Sequence, residues 1–289
     1  MITRESYEPT DDWLEQTNKE LSNQDVPHKQ RPWQAWMAWS KYAGVSTSLG
    51  DEDVKKIFDW FEKNSKAGAQ YIGPVYTGSF YYDACFWPIR IPVVCGQVKL
   101  DAVKSLGTMP DSIKLRLTRD RNAFINFAAL WADCLDYGMG IEEADKNSGV
   151  SVFWQELLRS GDQQLNATVT LLHEDNPNPK ASEAARMATE MFLKAFLALK
   201  VGLTEEMAKD EIGHDLVKCL DRCLAFDALS DLQIIRADLS GFPAIAERYK
   251  GLDKTSAELW KGYSVAQFVG TYVVRIITGR DARKTIRVG

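Results

Sequence analysis

The stretch "SEAARMATEMFLKAFLALKVG", Ser182 to Gly202, decides the fold. Ala184, Met187, Ala188, Met191, Phe192, Ala195, Phe196 and Leu199 recur at three- and four-residue spacing, so a helix aligns them in one continuous apolar stripe. Ser182 carries a side-chain oxygen suited to capping the first turn, and Gly202 supplies the stop. Such a stripe has to be covered by other helices, and the sequence downstream offers them. "HDLVKCLDRCLAF" (214–226) repeats the spacing through Leu216, Val217, Leu220 and Leu224, "LSDLQIIRADLSG" (229–241) reads as a further helix, and "SAELWKGYSVAQFVGTYVVRIITG" (256–279) as a long last one. With "FPAIAERYKG" as a turn and short connections elsewhere, an antiparallel four-helix-type bundle is the economical packing.

Upstream, the chain reads as mainly helical with a different composition. Eight of the nine tryptophans precede residue 160, and the polar, proline-bearing "HEDNPNPKASE" follows, which places a boundary near 173–182 and divides the chain into 1–175 and 178–289. "TDDWLEQTNKELS" opens on cap-type residues, and "RPWQAWMAWSKYAG" sets Pro32 in a first turn and Gly44 past the end. Trp33, Trp36, Met37 and Ser40 share one face there. Without basic residues between the rings, that stripe reads as core packing and not as a base-stacking platform.

A third helix is expected in "GDEDVKKIFDWFEKNSKAG", with Val54, Ile57, Phe58 and Phe61 inward, and two more in "TRDRNAFINFAALWADCLDYG" and "VSVFWQELLRSGDQQLNATVTLLH". "AQYIGPVYTGSFYYDACFWPIRIPVVCGQVKL" is rich in aromatic and β-branched residues but is cut by Pro74, Pro88 and Pro92, so it predicts a small hairpin or an ordered loop.

In the second part, "FLKAFLAL", then "GHDL" (213–216) opening the next helix, then "ERY" (247–249) and an apolar last helix together resemble the HEPN superfamily of helical bundles. The resemblance covers about residues 178–289. It implies a bundle fold, a tendency to pair as a homodimer, and an association either with RNA cleavage in toxin or defence systems or with nucleotide binding beside a nucleotidyltransferase partner. The nucleases of that superfamily carry an arginine four to six residues before the histidine. Here Asp210, Lys209 and Ala208 stand at those positions, so the resemblance implies the fold more than the nuclease. The expected function is a non-catalytic or regulatory protein binding a nucleotide, RNA or protein partner. The alternative is a metal-independent ribonuclease in which His214 works with an arginine from another helix.

His214 is the candidate catalytic or ligand-binding residue. At a helix N-terminus, backbone N–H groups favour a bound anion, with Asp215 beside it and Arg222, Arg248 or Arg275 supplied from neighbouring helices. The competing reading is a histidine that opens a helix, bonds a backbone carbonyl and packs on the bundle. Cys219 and Cys223 lie four apart, but too few ligands accompany them for a zinc site, so no metal and no cofactor are expected. Arg116, Arg119 and Arg121, and at the C-terminus Arg280, Arg283, Lys284 and Arg287, form the densest basic clusters and read as solvated charge before phosphate contacts.

The formal charge of -5 argues against a surface that is basic all over. Five cysteines without a CxxC pair point to reduced thiols, and "MITRESYEPTDDWLEQ" has no apolar signal core, so a cytoplasmic protein without membrane association is expected. No P-loop, nucleophile elbow or HExxH motif occurs. A third reading makes the N-terminal part an enzyme that uses "VYTGSFYYDACFW" as a pocket, on aromatic and small residues alone. In the last helix, Trp260, Tyr263, Phe268, Val269, Tyr272, Val273, Ile276 and Ile277 spread over more than one face. Their burial calls for the N-terminal part or a second copy of the chain; the resemblance to dimer-forming bundles favours the second copy, a homodimer with Tyr272 or Phe268 near the contact.

Overall fold

The computed structural model describes residues 8–44, 46–48, 50–64, 73–94, 98–147, 149–226, 231–247 and 253–284. The chain is mainly helical with one two-stranded antiparallel sheet, and it forms two compact units, 1–73 and 74–289.

The first unit holds α1 (Asp11–Asn23), α2 (Arg31–Ala43) and α3 (Glu52–Asn64). Thr10 accepts the Trp13 N–H at the start of α1, and Gly44, at φ 65°, ends α2 in the left-handed conformation that favours glycine. Leu14, Ala35, Trp39, Val54, Ile57, Phe58 and Phe61 make its core. The inward face of α3 is the one its spacing predicts. That of α2 is rotated: Ala35 and Trp39 are buried, Trp33 and Trp36 pack their edges on Phe58, and Met37 is exposed. The rotation buries Arg31, whose Nε donates to the Val26 carbonyl at 2.8 Å and whose guanidinium reaches Asn18 at 3.1 Å.

The second unit opens with the hairpin β1 (Tyr76–Tyr82) and β2 (Cys85–Ile91), with Pro88 opposite Ser79. Asp83 and Ala84 turn it with φ 54° and 58°, the double positive φ of a tight hairpin turn whose twist matches the strands. The helices are α4 (Asp111–Arg119), α5 (Arg121–Asp145), α6 (Val152–Leu172), α7 (Ala181–Val201), the short α8 (Glu205–Met207), α9 (Leu216–Phe226) and α10 (Ser256–Thr278). Helix α7 is central, packed against α6, α9 and α10, while α10 also lies along α5 and β1 sits on α5 and α6.

Phe192 of α7 shows how close this packing is. Its ring fills the space over Gly161 of α6 and Gly270 of α10, where an added Cβ would stand 2.5 Å and 2.7 Å from ring atoms. Two glycines on neighbouring helices thus form one aromatic socket.

Three expectations change here. The stretch 173–182 is the turn between α6 and α7, the most closely paired helices of the unit, and the compact units divide at Gly73 and Pro74. Tryptophan density reports local composition, whereas a unit boundary follows from which surfaces bury each other. Ser182 lies buried inside the first turn of α7, and Asn178 instead accepts the Lys180 N–H at 3.0 Å. The segment 229–241 gives 3-10 turns at Asp231–Ile235 and Leu239–Gly241, with 227–230 outside the described residues.

Candidate functional site

His214 is delivered by unusual backbone. After α8 the chain makes a π-turn, Ala208–Ile212, and then Gly213 takes φ 61° and ψ -126°, a conformation costly for any residue with a Cβ. Asp215 follows, and its carboxylate accepts the Lys218 N–H at 3.0 Å, so its carboxylate caps α9.

The imidazole of His214 then meets α7. Arg186, Glu190 and Lys194 stand at i, i+4 and i+8 on that helix, a charged row beside the apolar stripe. Glu190 is only 2% exposed. One of its carboxylate oxygens lies 2.7 Å from Lys194 Nζ and 2.9 Å from His214 Nδ1, and the other 3.3 Å from Arg186. The Arg186 guanidinium also donates to the His214 carbonyl at 2.6 Å. A buried carboxylate and a buried ammonium persist only when paired and hydrogen-bonded, and this arrangement satisfies both. His214 itself remains 68% exposed in its side chain, and its Nε2 has no bonded partner among the described residues.

The cluster opens on a groove of two abutting lobes, about 120 Å³ and about 480 Å³, which share Arg186, His214, Pro243 and Ala244. Met187, Met191 and Glu183 complete the inner lobe; Leu216, Val217, Leu239 and Phe242 line the outer, with Asp215 at its edge. The walls are therefore mostly apolar, with polar groups at one corner.

The structure brings His214 and Asp215 together at this groove, but not the arginines expected to join them. Arg222 is paired with Glu211. Arg275 is inside the bundle, 2.9 Å from Asp133 and 2.6 Å from Asp136. Arg248 lies outside the described residues. Arg186, Glu190 and Lys194 were the residues missed. Their signal in the sequence is the R-x3-E-x3-K row within Ser182–Gly202, which runs alongside the apolar stripe.

The other candidates resolve as structure. Arg116 pairs with Asp83 at 2.5 Å, Arg280 with Glu143 at 2.9 Å and Lys284 with Asp281 at 2.9 Å. Arg283 pairs with Asp133 and lies 5.4 Å over the Phe268 ring. Arg119 and Arg121 are exposed, and Arg287 lies outside the described residues. Cys219 and Cys223 are buried, the latter donating to the Leu193 carbonyl at 3.6 Å, and among the described residues no three side chains of metal-binding type converge.

The "VYTGSFYYDACFW" segment is the packed hairpin. Ser79, fully buried, shares a hydrogen bond with His173 Nε2 at 3.1 Å, and burial with nearby Arg90 pushes the imidazole down to about 4. The hydroxyl is sealed from solvent.

The chain matches no protein-family model, no curated protein and no solved structure. Among the described residues no helix is long and apolar enough to cross a membrane.

Proposed function

We propose that this chain is a cytoplasmic, HEPN-like helical protein that binds a nucleotide, an RNA or a protein partner at the His214 groove without cutting it. The observation that carries this reading is a polar corner of balanced charge opening on apolar walls. Glu190 neutralises Lys194 and engages Arg186, which leaves little positive field for the charge that develops on a phosphate during transfer. The exposed imidazole and the remaining guanidinium donors suit recognition of an acceptor group. A nucleotidyltransferase partner accords with the same reading. A second copy of the chain is left without the argument made for it, because the apolar perimeter of α10 is taken up by α5, α6 and α7. Phe268 is buried under Arg283, and Tyr272 packs on Phe196.

One feature favours the ribonuclease alternative: Glu190 holds His214 Nδ1, which orients the imidazole and leaves Nε2 free to take a proton, with Arg186 as the arginine from another helix. Incubation of the purified protein with structured and unstructured RNAs, without metal, separates the two readings. Intact RNA is expected. Cleavage that disappears in His214→Ala overturns the non-catalytic reading.

A further inference from the structure

The charges around the groove narrow its ligand, an inference that rests on this groove being the binding site. Among the described residues that line it or pair with its lining, the cations are Lys180, Arg186 and Lys194, and the anions are Glu183, Glu190 and Asp215. They sum to zero with a neutral His214 and to one positive charge with a protonated imidazole. Lys194 is spent inside the fold on Glu190, and Lys180 is tied to Glu183 at 2.7 Å.

Two donor groups remain for a ligand. Arg186 uses one N–H of each terminal nitrogen, on Glu190 and on the His214 carbonyl, and so keeps three of its five donors. His214 contributes an Nε2–H in its protonated form, because Nδ1–H is held by the Glu190 carboxylate and the neutral ring offers only a lone pair at Nε2. One oxyanion is matched by this pair. A second or third negative charge would sit, partly desolvated, beside Glu190, Glu183 and Asp215 with no cation to answer it. Beyond the polar corner the walls offer Met187, Met191, Leu239, Phe242 and Pro243, surfaces suited to a flat apolar body.

We infer that the groove takes a singly charged oxyanion carried on a flat apolar body, and discriminates against di- and triphosphates. A phosphodiester bearing a nucleobase is the nucleotide form of that class, and an aryl carboxylate is its simplest form.

Calorimetric titration of the full chain with cyclic AMP, naphthoate, ATP and inorganic phosphate tests this. At least one of the two flat monoanions binds, and ATP and inorganic phosphate bind roughly tenfold more weakly or not at all. Binding of cyclic AMP alone identifies the nucleotide form, and of naphthoate alone the carboxylate form. Ala244→Trp fills both lobes without touching the charged row and abolishes binding; His214→Gln weakens it. If ATP binds as tightly as the monoanions and Ala244→Trp removes it, the site stands and the charge class is wrong. If no probe binds, or Ala244→Trp leaves binding unchanged, the groove itself falls and the inference with it.

Discussion

Two buried ion networks in the second unit both pair carboxylates with cations and do different things. At one end of α10, Arg275 and Arg283 meet Asp133 and Asp136 of α5, and Asp136 also accepts the Ala282 N–H at 2.9–3.0 Å. That network ties the residues after α10 to α5 and is closed off. On α7, Arg186, Glu190 and Lys194 satisfy one another, but their fourth member, His214, faces solvent and a groove. Burial and pairing alone therefore do not mark a site. What distinguishes the α7 cluster is an unbonded ring nitrogen beside apolar walls.

The largest expected effect breaks the closed network. Arg275→Met leaves Asp133 and Asp136 short of a partner, and destabilisation of about 4 kcal/mol is expected in urea unfolding. Ligand titration of the folded fraction should be unchanged. A variant as stable as the parent would mean that the network is no clamp.

A middle effect comes from pH. His173 is held neutral in the fold, with its value lowered to about 4 from an ordinary value near 6.5. The unfolded chain thus binds more protons between those values. Its contribution to stability is intact above pH 6.5 and is lost as pH falls toward 4. The full shift, discounted for the partly open ring, is worth about 2 kcal/mol. Asp133 and Asp162, whose carboxyls burial pushes up, contribute the opposite slope, so the difference between parent and His173→Asn is the quantity to read. That difference should shrink by about 2 kcal/mol from pH 7 to 4. A constant difference would contradict the neutral, buried histidine.

The smallest effect on stability sharpens the contrast. His214→Ala removes an exposed ring and one hydrogen bond to a carboxylate that keeps Lys194 and Arg186, so a loss below about 1 kcal/mol is expected. Binding at the groove should nonetheless be lost. A loss as large as that of Arg275→Met would make His214 a structural pin.

Much of the fold was legible because it follows from local periodicity. The stripe of α7, the inward face of α3, the stops at Gly44 and Gly202 and a hairpin among prolines all depend on neighbours a few residues apart. The rotation of α2 was not legible, since several of its faces are apolar and only packing chooses between Trp39 and Met37. Nor was the unit boundary, because α6 and α7 pair across a polar turn that reads like a linker.

The same division holds at the site. By itself the sequence determined that His214 stands at a helix start after a glycine, without the arginine spacing of a nuclease, because those are properties of adjacent residues. Only the tertiary structure decided its partners. Arg275, which looked available, is consumed by carboxylates on α5, which lies far away in sequence, while Arg186, 28 residues before His214, reaches its carbonyl because a π-turn and Gly213 fold the chain back onto α7. Charge complementarity acts through space, over a few ångströms, and chain order does not encode which charges come within that range.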